Sequence, residues 1–129
     1  QLGEGVHTYK IGDRILVVAG ERNEKNQITT LGFDYDGGYA EYVIAKAGLL
    51  VKIPDSLPFE EAAIIPDAVS TPWAAISSTA KMKNGETAAV FGVGGLGIHA
   101  VQLLKIVGCS KVIAIDPRLE ARHHNGAQW

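Results

Sequence analysis

Three glycines and one acid carry the clearest chemistry in this sequence. Gly92, Gly94 and Gly97 are spaced Gly-x-Gly-x-x-Gly, and Asp116 follows nineteen residues after the last of them. Such glycines turn a chain out of a strand and into a helix. Gly92 permits the tight turn, Gly94 lets the backbone approach a pyrophosphate, and Gly97 lets the helix pack closely on the sheet. Gly95 and Leu96 lie in the same turn, where free N–H groups at the positive end of the helix attract the phosphates. Asp116 can accept hydrogen bonds from the hydroxyls of an adenosine ribose. The expected ligand is a nicotinamide or flavin dinucleotide. A 2′-phosphate at Asp116 would face a carboxylate, so NAD is expected over NADP, with Arg118 as a weak counterweight.

Those residues need a strand, a helix and a second strand to hold them. Residues 88–91 are an apolar run that leads into the glycines. Leu96, Ala100, Val101, Leu103, Leu104 and Val107 lie on or beside one face of a helix that ends at Gly108. Residues 111–115 form a second apolar run ending at Asp116. This is the first β-α-β unit of a doubly wound α/β sheet, which normally takes about six strands. Only two are present, so the chain reads as a piece of a larger protein, or as one from which stretches are omitted.

The first half reads as β-rich. A Gly12-Asp13 turn feeds a strand at 15–19, residues 20–30 read as a polar loop, and 34–38 are a turn signal. Strands are expected at 39–44 and 49–53. A helix opens at Pro58 and runs to about residue 65, and a second helical stretch covers roughly 67–80. Residues 83–86 form the turn before the glycine-linked strand.

Composition excludes several classes. The 129 residues fit one domain or parts of two, and the formal charge of −2 gives no electrostatic case for nucleic acid or an anionic membrane. No apolar run reaches membrane-spanning length, and the polar start is not a signal peptide. The single cysteine, Cys109, makes no internal disulfide and reads as a small buried thiol. A cytoplasmic location is expected. His99 reads as a partly buried or surface ring. His123 and His124 are adjacent and do not share a helical face, so they are not read as a metal pair.

Further motifs occur in a definite order: Gly12-Asp13-Arg14; Asp36-Gly37-Gly38-Tyr39-Ala40-Glu41-Tyr42; Phe59-Glu60-Glu61-Ala62-Ala63; Asp67-Ala68-x-x-Thr71-Pro72-Trp73; and Gly85-Glu86 before the glycine fingerprint. Together they resemble the medium-chain dehydrogenase/reductase superfamily, in particular its zinc-type alcohol dehydrogenases. The resemblance implies an α/β chain in which the end of a β-rich GroES-like catalytic domain (1–66) joins the first β-α-β unit of a Rossmann NAD-binding domain (67–129). It implies an oxidoreductase that passes hydride between NAD and a small or medium alcohol or carbonyl, with zinc polarising the substrate oxygen. Asp67 stands where the family places its last catalytic zinc ligand; a helix N-cap is its other reading. Thr71 matches a position beside the nicotinamide. The parent is expected to be a homo-oligomer, a dimer or a tetramer. The family's other zinc ligands, a Cys and a Gly-His-Glu motif, are absent, as is the four-cysteine lobe between Val18 and Leu31. Two alternatives therefore stand beside this reading: a zinc-independent NAD(P)H quinone or enoyl reductase of the same superfamily, and a non-catalytic nucleotide-binding fragment.

Overall fold

Short apolar runs broken by Gly, Asp and Pro favour short strands, and the first half of the chain forms them. The computed structural model describes residues 1–123. It divides into two compact units, Gln1–Pro66 and Asp67–Trp129. The first unit contains β1 (Ile15–Val17), β2 (Gly20–Arg22), β3 (Ile28–Thr30), β4 (Leu50–Lys52) and α1 (Phe59–Ala62). β1 pairs antiparallel with β4, Ile15 opposite Lys52 and Val17 opposite Leu50. The Gly-Asp turn leads into β1: the Asp13 N–H donates to the Lys10 carbonyl at 3.1 Å, and the Asp13 carboxylate accepts the Lys10 N–H at 3.0 Å. Asp13 also pairs with Lys52 at 2.8 Å, which ties the turn to β4.

Arg14 organises the entry to α1. Its guanidinium donates to the carbonyls of Pro54 at 2.8 Å, Asp55 at 3.0 Å and Leu57 at 2.5 Å, and lies 4.3 Å from the centre of the Phe59 ring. A planar fork reaches these carbonyls from two separate nitrogens, whereas the three donors of an ammonium group radiate from one. Arg14→Ala is expected to lower stability by about 1–2 kcal/mol, with Arg14→Lys recovering only part of the loss. Urea denaturation of the three proteins checks this, and an unchanged midpoint for Arg14→Ala contradicts it.

Two expectations for this unit are corrected. Residues 20–30 are not a loop: β2 and β3 pair as an antiparallel hairpin, with Gly20 opposite Thr30 and Arg22 opposite Ile28. Asn23 closes it. Its Oδ1 accepts the N–H groups of Lys25 and Gln27, both at 3.0 Å, and its own N–H donates to the Gln27 carbonyl at 2.9 Å. Both faces carry polar residues, so no apolar alternation marked the strands. Conversely, residues 39–44 do not form a strand. They are rich in aromatic and β-branched residues, but a strand also needs a partner for its backbone groups, and no described strand pairs with them. Tyr39, Tyr42 and Ile44 are exposed.

The helical region also differs in detail. α1 stops at Ala62 rather than near residue 65. The helical path resumes as a π turn at Ile65–Val69, continues as α2 (Ser70–Ala74), and widens again into a π turn at Ala75–Thr79. Pro66 brings no N–H to an α-helical ladder and lies within the first of these wider turns, whereas Pro72 lies in the first turn of α2.

The second unit is the expected β-α-β arrangement. β5 (Thr87–Phe91) and β6 (Lys111–Ile115) pair in parallel, Thr87 opposite Lys111 and Phe91 opposite Ile115. Between them runs α3 (Gly95–Val107), which buries Val101 and Leu104. Gly108 ends it as expected: the Cys109 N–H returns to the Leu104 carbonyl at 3.1 Å and the Gly108 N–H to Lys105 at 3.0 Å. A short α4 (Leu119–His123) follows. Cys109 is half-buried rather than fully buried. His124 lies outside the described residues, so the adjacent-histidine reading is not addressed. Among the described residues no helix is long and apolar enough to cross a membrane.

Candidate functional site

The glycine fingerprint forms the link from β5 to α3. Gly92 sits at φ +84, a conformation that costs any residue with a Cβ, and its N–H donates to the Ile115 carbonyl at 2.7 Å. Gly97 lies against the Gly92 carbonyl, where any Cβ would collide. These two glycines are therefore required by the fold itself. Gly94 and Gly95 are different. A Cβ on Gly94 would lie 3.8 Å from Arg118 Nη2, an ordinary contact, and one on Gly95 would meet nothing within 4 Å. Among the described residues no contact requires either to be glycine. Both face an open cleft of about 550 Å³, lined also by Ile98, His99, Gln102 and Arg118. Gly94 is the N-cap of α3 and no side chain caps the helix, so its first N–H groups lack a side-chain acceptor. Leu96 is exposed on the first turn.

Asp116 sits behind this cleft at the end of β6, its side chain only 3 % exposed. Oδ2 accepts the Val93 N–H at 3.0 Å, which locks the acid to the glycine turn. Oδ1 accepts the Arg118 N–H at 2.9 Å and Arg118 Nε at 3.1 Å, and Arg118 Nη2 reaches Oδ2 at 3.3 Å. The Arg118 guanidinium first, then the N–H groups of Arg118 and Val93, hold the carboxylate well below the usual range despite its burial. A depressed carboxylate stabilises the fold above its ordinary value near pH ~4, and this is lost only as pH falls through the depressed value. Asp116 is thus charged throughout the neutral range.

The sequence reading missed the fork between Arg118 and Asp116. A signal was available: in Asp116-Pro117-Arg118 the proline has no N–H, so the next backbone donor to an Asx turn is Arg118. His99 uses Nδ1 on the Gly95 carbonyl at 2.6 Å, its own helix, which leaves the ring at the cleft wall.

Asp67 and Thr71 form a separate pair. The Thr71 hydroxyl donates to Asp67 Oδ1 at 2.9 Å across one helical turn, and both side chains are exposed. The N-cap reading of Asp67 has no support here, because Val69 precedes α2 and no side chain caps it. α2, which carries Thr71, packs against α3. For zinc, the donor set is incomplete: among the described residues no three His, Cys, Asp or Glu side chains converge as a metal ion needs. Asp67 could offer one oxygen ligand, and no more than that follows from these residues.

A larger concavity in the first unit, of about 1480 Å³, is lined mainly by apolar groups such as Leu31, Phe33, Tyr39 and Tyr42. It holds the Glu21–Lys46 ion pair at 2.7 Å but no arrangement of acid, base and nucleophile.

Residues 1–55 match the family described as the alcohol dehydrogenase GroES-like domain. An alcohol dehydrogenase of Geobacillus stearothermophilus is 36 % identical over an alignment of 157 positions that covers all of this chain and 46 % of the relative. That alignment is longer than the chain, so some of the relative's positions within it have no counterpart here. The crystal structure of 2R,3R-butanediol dehydrogenase from Bacillus subtilis superposes with a TM-score of 0.80 at 33 % identity, covering 95 % of this chain and 37 % of that one. Acetophenone reductase from Geotrichum candidum, solved in complex with NAD, gives 0.78 at 32 % identity, covering 94 % and 40 %. The chain thus spans less than half the length of each.

Proposed function

Since the chain belongs to the alcohol dehydrogenases of the medium-chain dehydrogenase/reductase superfamily, we propose that it is the segment of an NAD-dependent alcohol oxidoreductase where the GroES-like catalytic domain (1–66) passes into the NAD-binding domain (67–129). One observation carries the cofactor half of this reading. Asp116, a buried carboxylate locked to Val93, stands behind Gly94 and Gly95, two glycines whose small size no contact among the described residues requires. A pyrophosphate at the uncapped start of α3 accounts for both.

The residues divide the work. The N–H groups at Gly95, Leu96 and Gly97 bind the pyrophosphate, and Gly94 leaves it room. Gly92 and Gly97 keep β5 and α3 close enough for the turn to exist. Asp116 takes the adenosine ribose hydroxyls, and its charge disfavours a 2′-phosphate. Bound NAD supplies the hydride acceptor or donor for a small or medium alcohol or carbonyl. Thr71 packs beside the nicotinamide and holds the Asp67 carboxylate through its hydroxyl. The neighbour solved with NAD and the relatives named for alcohols support this reading.

Asp67 is proposed to give this segment's single ligand to a catalytic zinc whose other donors lie outside the described residues. The test is made on the full-length protein carrying this chain. Asp67→Ala should lose one zinc per chain by elemental analysis, and alcohol oxidation with it, while circular dichroism stays unchanged. Zinc content equal to that of the unmodified protein overturns the assignment.

A further inference from the structure

The ring of His99 leans over the start of α3. Side chains on a helix point back toward its N-terminus, so the one at residue 99 covers the turn that begins at Gly95. The contact shows this directly: His99 Nδ1 lies 2.6 Å from the Gly95 carbonyl oxygen. A carbonyl oxygen only accepts, so Nδ1 carries the proton of that bond. This fixes the tautomer. In the neutral ring Nε2 is then a bare acceptor, and in the imidazolium it is a second donor. Nε2 makes no hydrogen bond among the described residues, and the ring lines the same cleft as Gly94 and Gly95.

We propose that His99 is a phosphate-binding residue of this cleft, which donates Nε2–H to the dinucleotide's pyrophosphate only when the ring is protonated. The proposal rests on the reading of the glycine turn as a dinucleotide site. The backbone N–H groups of the turn hold phosphate at any pH. His99 adds one charge-assisted bond that exists in a single protonation state. The neutral ring turns a lone pair toward anionic oxygens and gains nothing. Binding therefore draws a proton onto the ring, and affinity rises as pH falls through the range where imidazoles ordinarily titrate, about pH 5–8. Arg118 and Glu120 line the cleft too, and Asp116 lies behind it. A guanidinium stays charged throughout that range, and carboxyl groups ordinarily titrate below about pH 5. Of the elements packed on α3, α2, the π turn at Ala75–Thr79 and β5 contain no titratable residue. β6 contains only Lys111, opposite Thr87 and so at the end away from the glycine turn. On α3 itself the other charge is Lys105, in the last turn.

Calorimetry on the full-length protein tests this with NAD⁺, whose pyrophosphate stays ionised throughout. Dissociation constants are measured at about pH 6 and about pH 8.5, on either side of the ordinary imidazole midpoint. The proteins are the unmodified one, His99→Asn and His99→Gln. Asparagine keeps an N–H for the Gly95 carbonyl and removes Nε2; glutamine carries a neutral amide on a longer stem. Neither side chain titrates. The unmodified protein should bind NAD⁺ about threefold to tenfold tighter at the lower pH, the worth of an exposed charged contact. Heats in two buffers of different ionisation enthalpy should show proton uptake on binding. His99→Asn should lose that factor at the lower pH, match the unmodified protein at the higher pH, and take up no proton. His99→Gln should be equally insensitive to pH, and thermal melts check that both variants fold. A pH ratio as large in both variants as in the unmodified protein, or a flat ratio in the unmodified protein, overturns the proposal and leaves the site reading standing. An unmodified protein that binds no NAD⁺ at either pH overturns both together.

Discussion

Gly97→Ala is expected to cost the second unit about 3 kcal/mol or more, at the upper end of what overpacking does, because the added methyl meets backbone rather than a mobile side chain. The obstacle is the Gly92 carbonyl, and Gly92 cannot move aside, since its N–H is held by Ile115 at 2.7 Å and its own φ is +84. Relief would have to lift α3 off β5 and expose Val101 and Leu104, two of the few buried apolar side chains among the described residues. Against a typical total of about 5–15 kcal/mol that is a large fraction. Gly95→Ala is the matched control. Its Cβ meets nothing within 4 Å, so the fold should be unaffected while NAD affinity falls. Urea denaturation and a nucleotide titration on both variants separate the two roles. Equal stability losses would mean that the turn does not distinguish its glycines as described.

Asp116→Ser is the second large effect. It removes the buried charge, the acceptor for the ribose and the partner of Arg118 in a single change. The guanidinium is then released to serve a 2′-phosphate. The ratio of kcat/KM for NAD over NADP should fall by roughly tenfold to a hundredfold. Asp116→Asn, which keeps an oxygen for the Val93 N–H, should give a smaller shift with less loss of stability. In the unmodified protein the ratio should be flat between about pH 7.5 and 9, above the titration of the 2′-phosphate itself near pH ~6, because Arg118 keeps Asp116 ionised well below that window. A ratio that Asp116→Ser leaves unmoved, or one that titrates between about pH 7.5 and 9, would show that another residue discriminates the cofactor.

The two halves of the chain were not equally legible. In the second unit, each local signal agreed with its neighbours: an apolar run, glycines at a fixed spacing, a helical face around Val101 and Leu104, a Gly108 stop and a second run ending in an acid. The structure follows that order element by element. In the first unit, pattern and pairing come apart. Residues 39–44 have the aromatic and β-branched composition of a strand and no described partner, whereas 20–30 are largely polar and pair through a turn built on Asn23. Periodicity reports which face is apolar; it does not report where the ladder bonds go. At the site, residue identities were readable, since type and spacing alone mark Gly92, Gly97 and Asp116. Side-chain direction was not. That Arg118 turns back onto Asp116, and that Thr71 bonds Asp67 across one turn, depend on rotamers that a one-letter pattern does not carry.

The proposed function requires a dinucleotide held at the start of α3 with its ribose on Asp116. Calorimetric titration of the full-length protein with NAD⁺ and NADP⁺, at fixed salt and neutral pH, tests this most directly. The expected result is one site per chain, with NAD⁺ bound about tenfold or more tighter than NADP⁺. Absence of saturable NAD⁺ binding, or a tighter constant for NADP⁺, would contradict it.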